Sequence, residues 1–291
     1  MDKIKERYIY KSVGDHKIGA DLYPNGRKQS PLLIYIHGGA LIFGSREDII
    51  EEQVKNYIKE GFSVLSIDYR LAPESKLKDI VLDIRDALEW ARVELSKKHD
   101  IDTGRIAVIG SSAGAYLALM TGLFKRKPRA IVSFYGYGSL LGRWANEPDD
   151  FYRKKIKITR EEAYNNIGNT PISKSGRERW LYYLYCRQQG LWAKEISGYK
   201  VDELEERLLE FAPLEMAGKD FPPTLLLHGT EDRDVPYYNS LAMKKKLDEL
   251  QVDNDLLLLE GKEHEFDYLM EDNAVQEGFK KVLVFLHKYL K

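Results

Sequence analysis

The stretch that most constrains this chain is a strand that runs into a tight serine turn and straight out into a helix. Arg105-Ile106-Ala107-Val108-Ile109 is followed by Gly110-Ser111-Ser112-Ala113-Gly114 and then by Ala115-Tyr116-Leu117-Ala118-Leu119-Met120. The small residues two before and two after Ser112 let the backbone pass close to its neighbours, so the serine is presented at the top of a sheet instead of being packed into it. Ser112 is therefore the candidate nucleophile. Five residues are a weak pattern, however, and their weight depends on finding a base, an acid and an anion-stabilising loop elsewhere in the chain.

The rest of the sequence supplies a setting for such a turn. Two β-prone runs, 8–13 and 17–23, meet at Gly14-Asp15-His16 and read as an antiparallel hairpin. The continuous apolar run 32–36, ending in His37-Gly38-Gly39, suits a strand buried on both faces. Ile50, Val54, Tyr57 and Ile58 fall at helical spacing until Gly61, and 62–67 reads as the next buried strand. Val81, Ile84, Leu88, Ala91 and Leu95 mark an amphipathic helix, and 130–134 a further strand. Strand and helix alternate in this way until about Ser139, then resume with a strand at 224–228, a helix over 237–250, a strand at 255–259 and a closing helix carrying Val275, Phe279, Val282, Leu283 and Leu286. The alternation predicts an α/β fold with a mostly parallel sheet of about eight strands and helices on both faces.

Between those two halves the chain changes character. It is charged and aromatic, with Trp144, Tyr152, Trp180, Tyr182, Tyr183, Tyr185 and Trp192, and its helical patterns have no strand between them. That is too long for a structureless loop. The expected organisation is a core of residues 1–138 and 198–291 with a helical cap insertion at 139–197, and a helix over 201–211 leading back to the sheet. The rings of the insertion either pack a small core of their own or face a substrate.

A serine hydroxyl is a poor nucleophile at neutral pH and needs a histidine to take its proton and a carboxylate to orient that histidine. Two later loops, each following a strand, carry these residue types: His228-Gly229-Thr230-Glu231-Asp232-Arg233-Asp234-Val235-Pro236, and Gly261-Lys262-Glu263-His264-Glu265-Phe266. Both are expected at the carboxyl edge of the sheet, where the Ser112 turn also lies and where open parallel sheets place their sites. His264 is the candidate base. Asp232 and Asp234 both fit the acid at this stage, and either could instead form the turn or cap the helix that follows. His37 and His228 end strands and are read as loop braces.

The loop His37-Gly38-Gly39-Ala40 offers main-chain amides to an oxygen that becomes negative during attack, and Ala113 adds an N–H at the start of its helix. Cys186 is the sole cysteine, which excludes an internal disulfide framework and fits a reducing compartment. Forty-five basic and 46 acidic side chains, for a net charge of -1, give no general reason to bind nucleic acid or an anionic membrane. The opening residues lack the apolar run of a signal peptide, and no stretch reaches the length of a membrane span. A cytoplasmic protein with no metal or other cofactor is expected. Exposed apolar positions on the closing helix leave a homodimer open.

Taken together, His37-Gly38-Gly39-Ala40 with Phe43-Gly44-Ser45, Asp68-Tyr69-Arg70-Leu71-Ala72-Pro73-Glu74, Gly110-Ser111-Ser112-Ala113-Gly114, His228-Gly229-Thr230-Glu231-Asp232 and His264-Glu265-Phe266 resemble the α/β-hydrolase superfamily. Within it the chain is similar to the esterase/lipase branch related to hormone-sensitive lipase. The resemblance implies Ser112 as nucleophile, Asp232 as acid and His264 as base. It implies Gly39, Ala40 and Ala113 as the oxyanion N–H donors, with Gly38 shaping the loop. Ala40 stands where that loop usually has a third glycine, and Ser111 where many relatives carry an acid. The expected substrates are a small-molecule carboxylic ester and water. An amide-directed enzyme, such as an arylformamidase or peptidase, would use the same chemistry, and a non-catalytic ligand-binding protein would use the same scaffold.

Overall fold

A computed structural model describes residues 5–291; the first four residues of the charged N-terminal stretch lie outside it. Eight strands form one sheet: β1 (Glu6–Val13), β2 (His16–Tyr23), β3 (Ser30–Ile36), β4 (Ser63–Ile67), β5 (Ile101–Ser111), β6 (Ala130–Phe134), β7 (Thr224–Gly229) and β8 (Asn254–Leu259). Their spatial order is β1-β2-β4-β3-β5-β6-β7-β8. The β1–β2 hairpin joins β4 antiparallel, and every pairing from β4 through to β8 is parallel. This is the α/β-hydrolase architecture that the alternating pattern implied.

The two-residue period of a strand divides the core between the two faces of the sheet. Leu32, Ile34 and Ile36 of β3 face one apolar cluster with Ile84, Leu88 and Tyr116, on the side of the helices Leu77–Trp90 and Ala113–Met120. Leu33 and Tyr35 face the other, with Tyr57, Phe279 and Val282 from the helices Glu51–Lys59 and Asn273–Leu290. Strands covered on both sides have no polar face to show, hence the mostly apolar, buried runs of β3, β4 and β6, broken only by small serines in β4 and β6. Gly61 stops its helix as expected: at φ +97° it lets Phe62 N–H return to the Tyr57 carbonyl, and the Phe62 ring drops into the core.

Some local windings differ from the sequence expectation. The amphipathic helix expected to run through Leu95 is α-helical to Trp90 and passes into a wider π turn, Ala91–Leu95, in which Ala91 and Leu95, four residues apart, both remain buried. Residues 201–211 make a short α-helix, Leu204–Leu208, between two 3-10 turns. Strand β5 starts earlier than its apolar run, since Ile101 and Asp102 already pair with Ser30 and Pro31 ahead of a register break.

Between β6 and β7 the described residues form no strand. The helices Asp150–Arg153, Arg160–Tyr164, Trp180–Gln189 and Trp192–Ser197 pack mainly through aromatic rings. At their centre the Arg187 guanidinium is 4.7 Å from the Tyr152 ring centroid and 5.5, 5.6 and 5.7 Å from those of Trp144, Tyr183 and Trp192. It pairs with Asp149 at 3.0 Å and Asp234 at 3.1 Å, so a fully buried cation has both charge partners and ring faces. A second buried pair, Arg179 with Glu74 at 2.6 Å, ties this segment to the loop after β4.

Candidate active site

Ser112 follows β5 directly and has φ +54° and ψ −121°, a conformation that a side chain adopts only under constraint. The constraint comes from close packing at the flanking glycines. A Cβ on Gly110 would lie 2.1 Å from the Gly114 carbonyl oxygen, and one on Gly114 would lie 2.1 Å from that of Ile36. Only hydrogen fits at either position, so the chain turns sharply there and holds the serine at the carboxyl edge of the sheet.

The β7 and β8 loops bring their side chains to the same point. Ser112 Oγ is 3.0 Å from His264 Nε2, and His264 Nδ1 is 2.6 Å from Asp232 Oδ2. Asp232 is deeply buried: its Oδ1 accepts the N–H groups of Asp234 at 2.9 Å and Val235 at 2.8 Å, while His228 Nε2 lies 3.2 Å from Oδ2. Burial acts to raise the Asp232 pKa, but hydrogen bonds from His228 and His264 outweigh it and hold the carboxyl well below the usual range. His228 is thus more than a loop brace, since it also touches the carboxylate. Asp234, the rival acid in the sequence, lies on the opposite side of the imidazole, with Oδ2 3.7 Å from Nε2. Burial acts to lower the His264 pKa; the charges of Asp234, Asp232 and Glu265 and the Asp232 hydrogen bond overcome this and raise it to about 9.

The loop after β3 is held by its carbonyl groups. Tyr69 OH donates to the carbonyls of His37 at 3.0 Å and Gly38 at 3.2 Å. The Gly39 carbonyl accepts from Ile42 and Phe43, and Trp192 Nε1 donates to the Ala40 carbonyl at 3.0 Å. In a trans peptide the N–H points away from the preceding carbonyl, so the N–H groups of Gly39 and Ala40 are turned the other way. Neither meets an acceptor among the described residues, and Ala113 N–H, first in its helix, has no intrahelical partner. Gly39 needs to be glycine: its φ is +96°, and a Cβ would meet the Phe43 carbonyl oxygen at 2.0 Å. A Cβ on Gly38 would sit 3.3 Å from that of Ser112. Ala40 also has a left-handed backbone, with φ +56°, which it holds despite its methyl group.

Two adjoining cavities, about 450 and 400 Å³, meet at Phe43, Trp180, Asp234 and His264. The first reaches Gly38, Gly39, Ala40 and Ser112; the second opens past Phe151, Tyr152 and Lys155. The aromatic residues of the insertion therefore divide by role. Trp180, Tyr183, Tyr152 and Phe151 line cavity wall, whereas Trp144, Trp192 and Tyr182 are packed inward. Among the described residues, no group of three or more His, Cys, Asp and Glu side chains is arranged to hold a metal ion.

Three participants carried no usable signal in the sequence. Asp267 lies buried behind the serine turn, where it accepts from Tyr135 OH at 2.5 Å, Gln53 Nε2 at 3.2 Å and Ser111 Oγ at 3.4 Å. Burial raises its pKa, against those hydrogen bonds from Tyr135 and Gln53. The Tyr135 ring, in turn, stands edge-on to His264 with centroids 4.6 Å apart. Trp192 looked like one more core aromatic. Only the Asp-x-Asp spacing at Asp232 and Asp234 hinted that two acids would matter.

The fold and these motifs define an α/β-hydrolase of the esterase-like kind. The BD-FAE family model matches residues 21–247, and the chain belongs to that family. Among solved structures, it is similar to a Staphylococcus aureus protein of unknown function (TM-score 0.81, 21% identity, 98% of this chain and 100% of that one). It is also similar to an α/β-hydrolase superfamily protein from Enterococcus faecalis (0.79, 22%, 98% and 99%). A butyrate-bound esterase from Thermogutta terrifontis matches at TM-score 0.70 and 19% identity, over 98% of this chain and 94% of that one. Among curated relatives, a non-reducing polyketide synthase of Preussia isomera is 28% identical over 91% of this chain, which spans 14% of that protein's length.

Proposed function

We propose that the protein is a serine hydrolase that cleaves carboxylic esters of small acyl groups through an acyl-serine intermediate. The observation that carries this reading is the hydrogen-bonded chain from Ser112 Oγ through His264 to Asp232, set beside N–H groups that lack an acceptor. Ser112 attacks the acyl carbon while His264 Nε2 takes its proton, and the charge on the carbonyl oxygen falls to the amides of Gly39, Ala40 and Ala113. His264 then passes the proton to the departing alcohol oxygen. Water, deprotonated by the same nitrogen, opens the acyl-serine and regenerates the site.

In this reading residues 139–197 act as a cap. Their Trp180 and Tyr183 share the cavity of the nucleophile with Phe43 and leave room for a small acyl group, while Tyr152 lines the adjoining cavity. The butyrate held by the Thermogutta terrifontis esterase is of that size, which supports the choice of substrate class.

The test is hydrolysis of p-nitrophenyl acetate and butyrate, together with intact-mass detection of a serine-directed phosphonate on Ser112. Release of p-nitrophenol and a single adduct lost in Ser112→Ala are expected. Absence of both would refute the reading, and faster turnover of a matched anilide would move it to amides.

A further inference from the structure

We propose that Asp234 is a positioning residue for the catalytic base: a second carboxylate, on the Nε2 side of His264, through which the 139–197 segment governs how firmly the imidazole holds its proton. The proposal deepens the serine-hydrolase reading and rests on it.

The β7 loop is built to point two carboxylates at one ring from opposite sides. Asp232 Oδ1 binds the Asp234 and Val235 amides, and the resulting turn swings the second side chain round to the other edge of His264. Asp234 Oδ1 is then filled by three donors: Tyr152 OH and Tyr183 OH, each at 2.5 Å, and Arg187 Nη1 at 3.1 Å. Oδ2 remains, 3.7 Å from Nε2. That is too long for a hydrogen bond but well within range of a charge interaction in a poorly solvated site. All three donors belong to the 139–197 segment. Arg187 cannot easily withdraw, because it is also bound to Asp149 at 3.0 Å and enclosed by four aromatic rings.

Other groups face the same imidazole, and they do different things. Asp232 holds Nδ1 and is itself touched by His228. Glu265, the next residue, is half-exposed and paired with Arg177 at 3.3 Å. Asp267 is engaged by Tyr135, whose ring packs on His264. Glu263 lies farther along the cavity wall. Asp234 alone among these acids approaches the nitrogen that exchanges protons with Ser112 and the leaving group. Its charge favours the imidazolium formed during attack, which makes His264 a stronger base and a weaker acid.

The test labels the six histidines and follows His264 by NMR across pH in the wild type, Asp234→Asn and Asp234→Glu, alongside kcat/KM profiles for p-nitrophenyl acetate. Asp234→Asn should lower the His264 midpoint by about one pH unit, and Asp234→Glu should restore most of it. Relative to its own high-pH plateau, kcat/KM of Asp234→Asn at pH 7 should then rise by up to about tenfold. An unchanged midpoint in a folded Asp234→Asn overturns the proposal, as does a wild-type midpoint at the ordinary histidine value, which needs no variant. Failure of the hydrolase reading looks different. In that case no ester is turned over, while the NMR midpoint still responds to residue 234.

Discussion

Trp192 donates its indole N–H to the carbonyl of Ala40, 3.0 Å away, so a ring from the 139–197 segment fixes the loop that shares a cavity with Ser112. The contact joins residues 152 positions apart and is fully buried on both sides. It makes the proposed anion site depend on an element outside the sheet.

Trp192→Phe keeps most of the packing and removes the donor. The Ala40 carbonyl is then buried without a partner, at a cost of about 1–3 kcal/mol in unfolding free energy. Loss of loop alignment should lower kcat on the order of tenfold with little change in KM. Urea unfolding and initial rates on one preparation separate the two effects.

At position 112, Ser112→Ala and Ser112→Gly should both lose hydrolysis by a factor on the order of 10⁴ or more. They should differ in stability. The backbone there, at φ +54° and ψ −121°, suits glycine far better than any residue with a Cβ. Ser112→Gly should therefore be more stable than Ser112→Ala by about 1 kcal/mol, after subtracting glycine's entropic cost. Equal midpoints in thermal unfolding would show that the turn is not strained.

The raised His264 pKa sets a pH profile. A general base must be neutral to accept the Ser112 proton, so kcat/KM for a neutral aryl ester should climb through neutral pH and level off only above about 9. Stability runs the opposite way. Because the folded value lies above the unfolded one, the imidazolium stabilises the native state fully below about 6.5, and this contribution is lost as pH rises through about 9. Denaturation midpoints measured across that window, in wild type and in His264→Gln, isolate the term.

Glu74 and Arg179 form a buried ion pair at 2.6 Å, and Arg179 also donates to the Ala72 carbonyl at 3.0 Å. Glu74→Ala leaves the guanidinium buried without its charge partner and should cost about 3–5 kcal/mol. Proteolysis is expected to begin in residues 139–197, because the pair is one of their ties to the sheet. Cleavage elsewhere first would mean that the other ties of the segment, Trp192 to the Ala40 carbonyl and Arg187 to Asp234, hold it without this pair.

How far the sequence could be read follows from the range of the forces involved. Strand, turn and helix around Ser112 were legible because backbone freedom at glycine and the two- and 3.6-residue periods act over a few residues. The order of the later loops, with Asp232 and His264 each placed after a strand, put them on the same edge once the sheet was taken as parallel. Trp192, Asp267 and the position of Asp234 were not legible. Their side-chain hydrogen bonds join residues from 47 to 214 positions apart, and a tryptophan, tyrosine or aspartate has the same local preferences whether it meets such a partner or not. The sequence by itself thus determined the sheet, the serine turn and the types of side chain at its edge. Which side of the imidazole each carboxylate occupies, and which aromatic rings face the cavity, was decided only when packing of the insertion against the sheet set the distances.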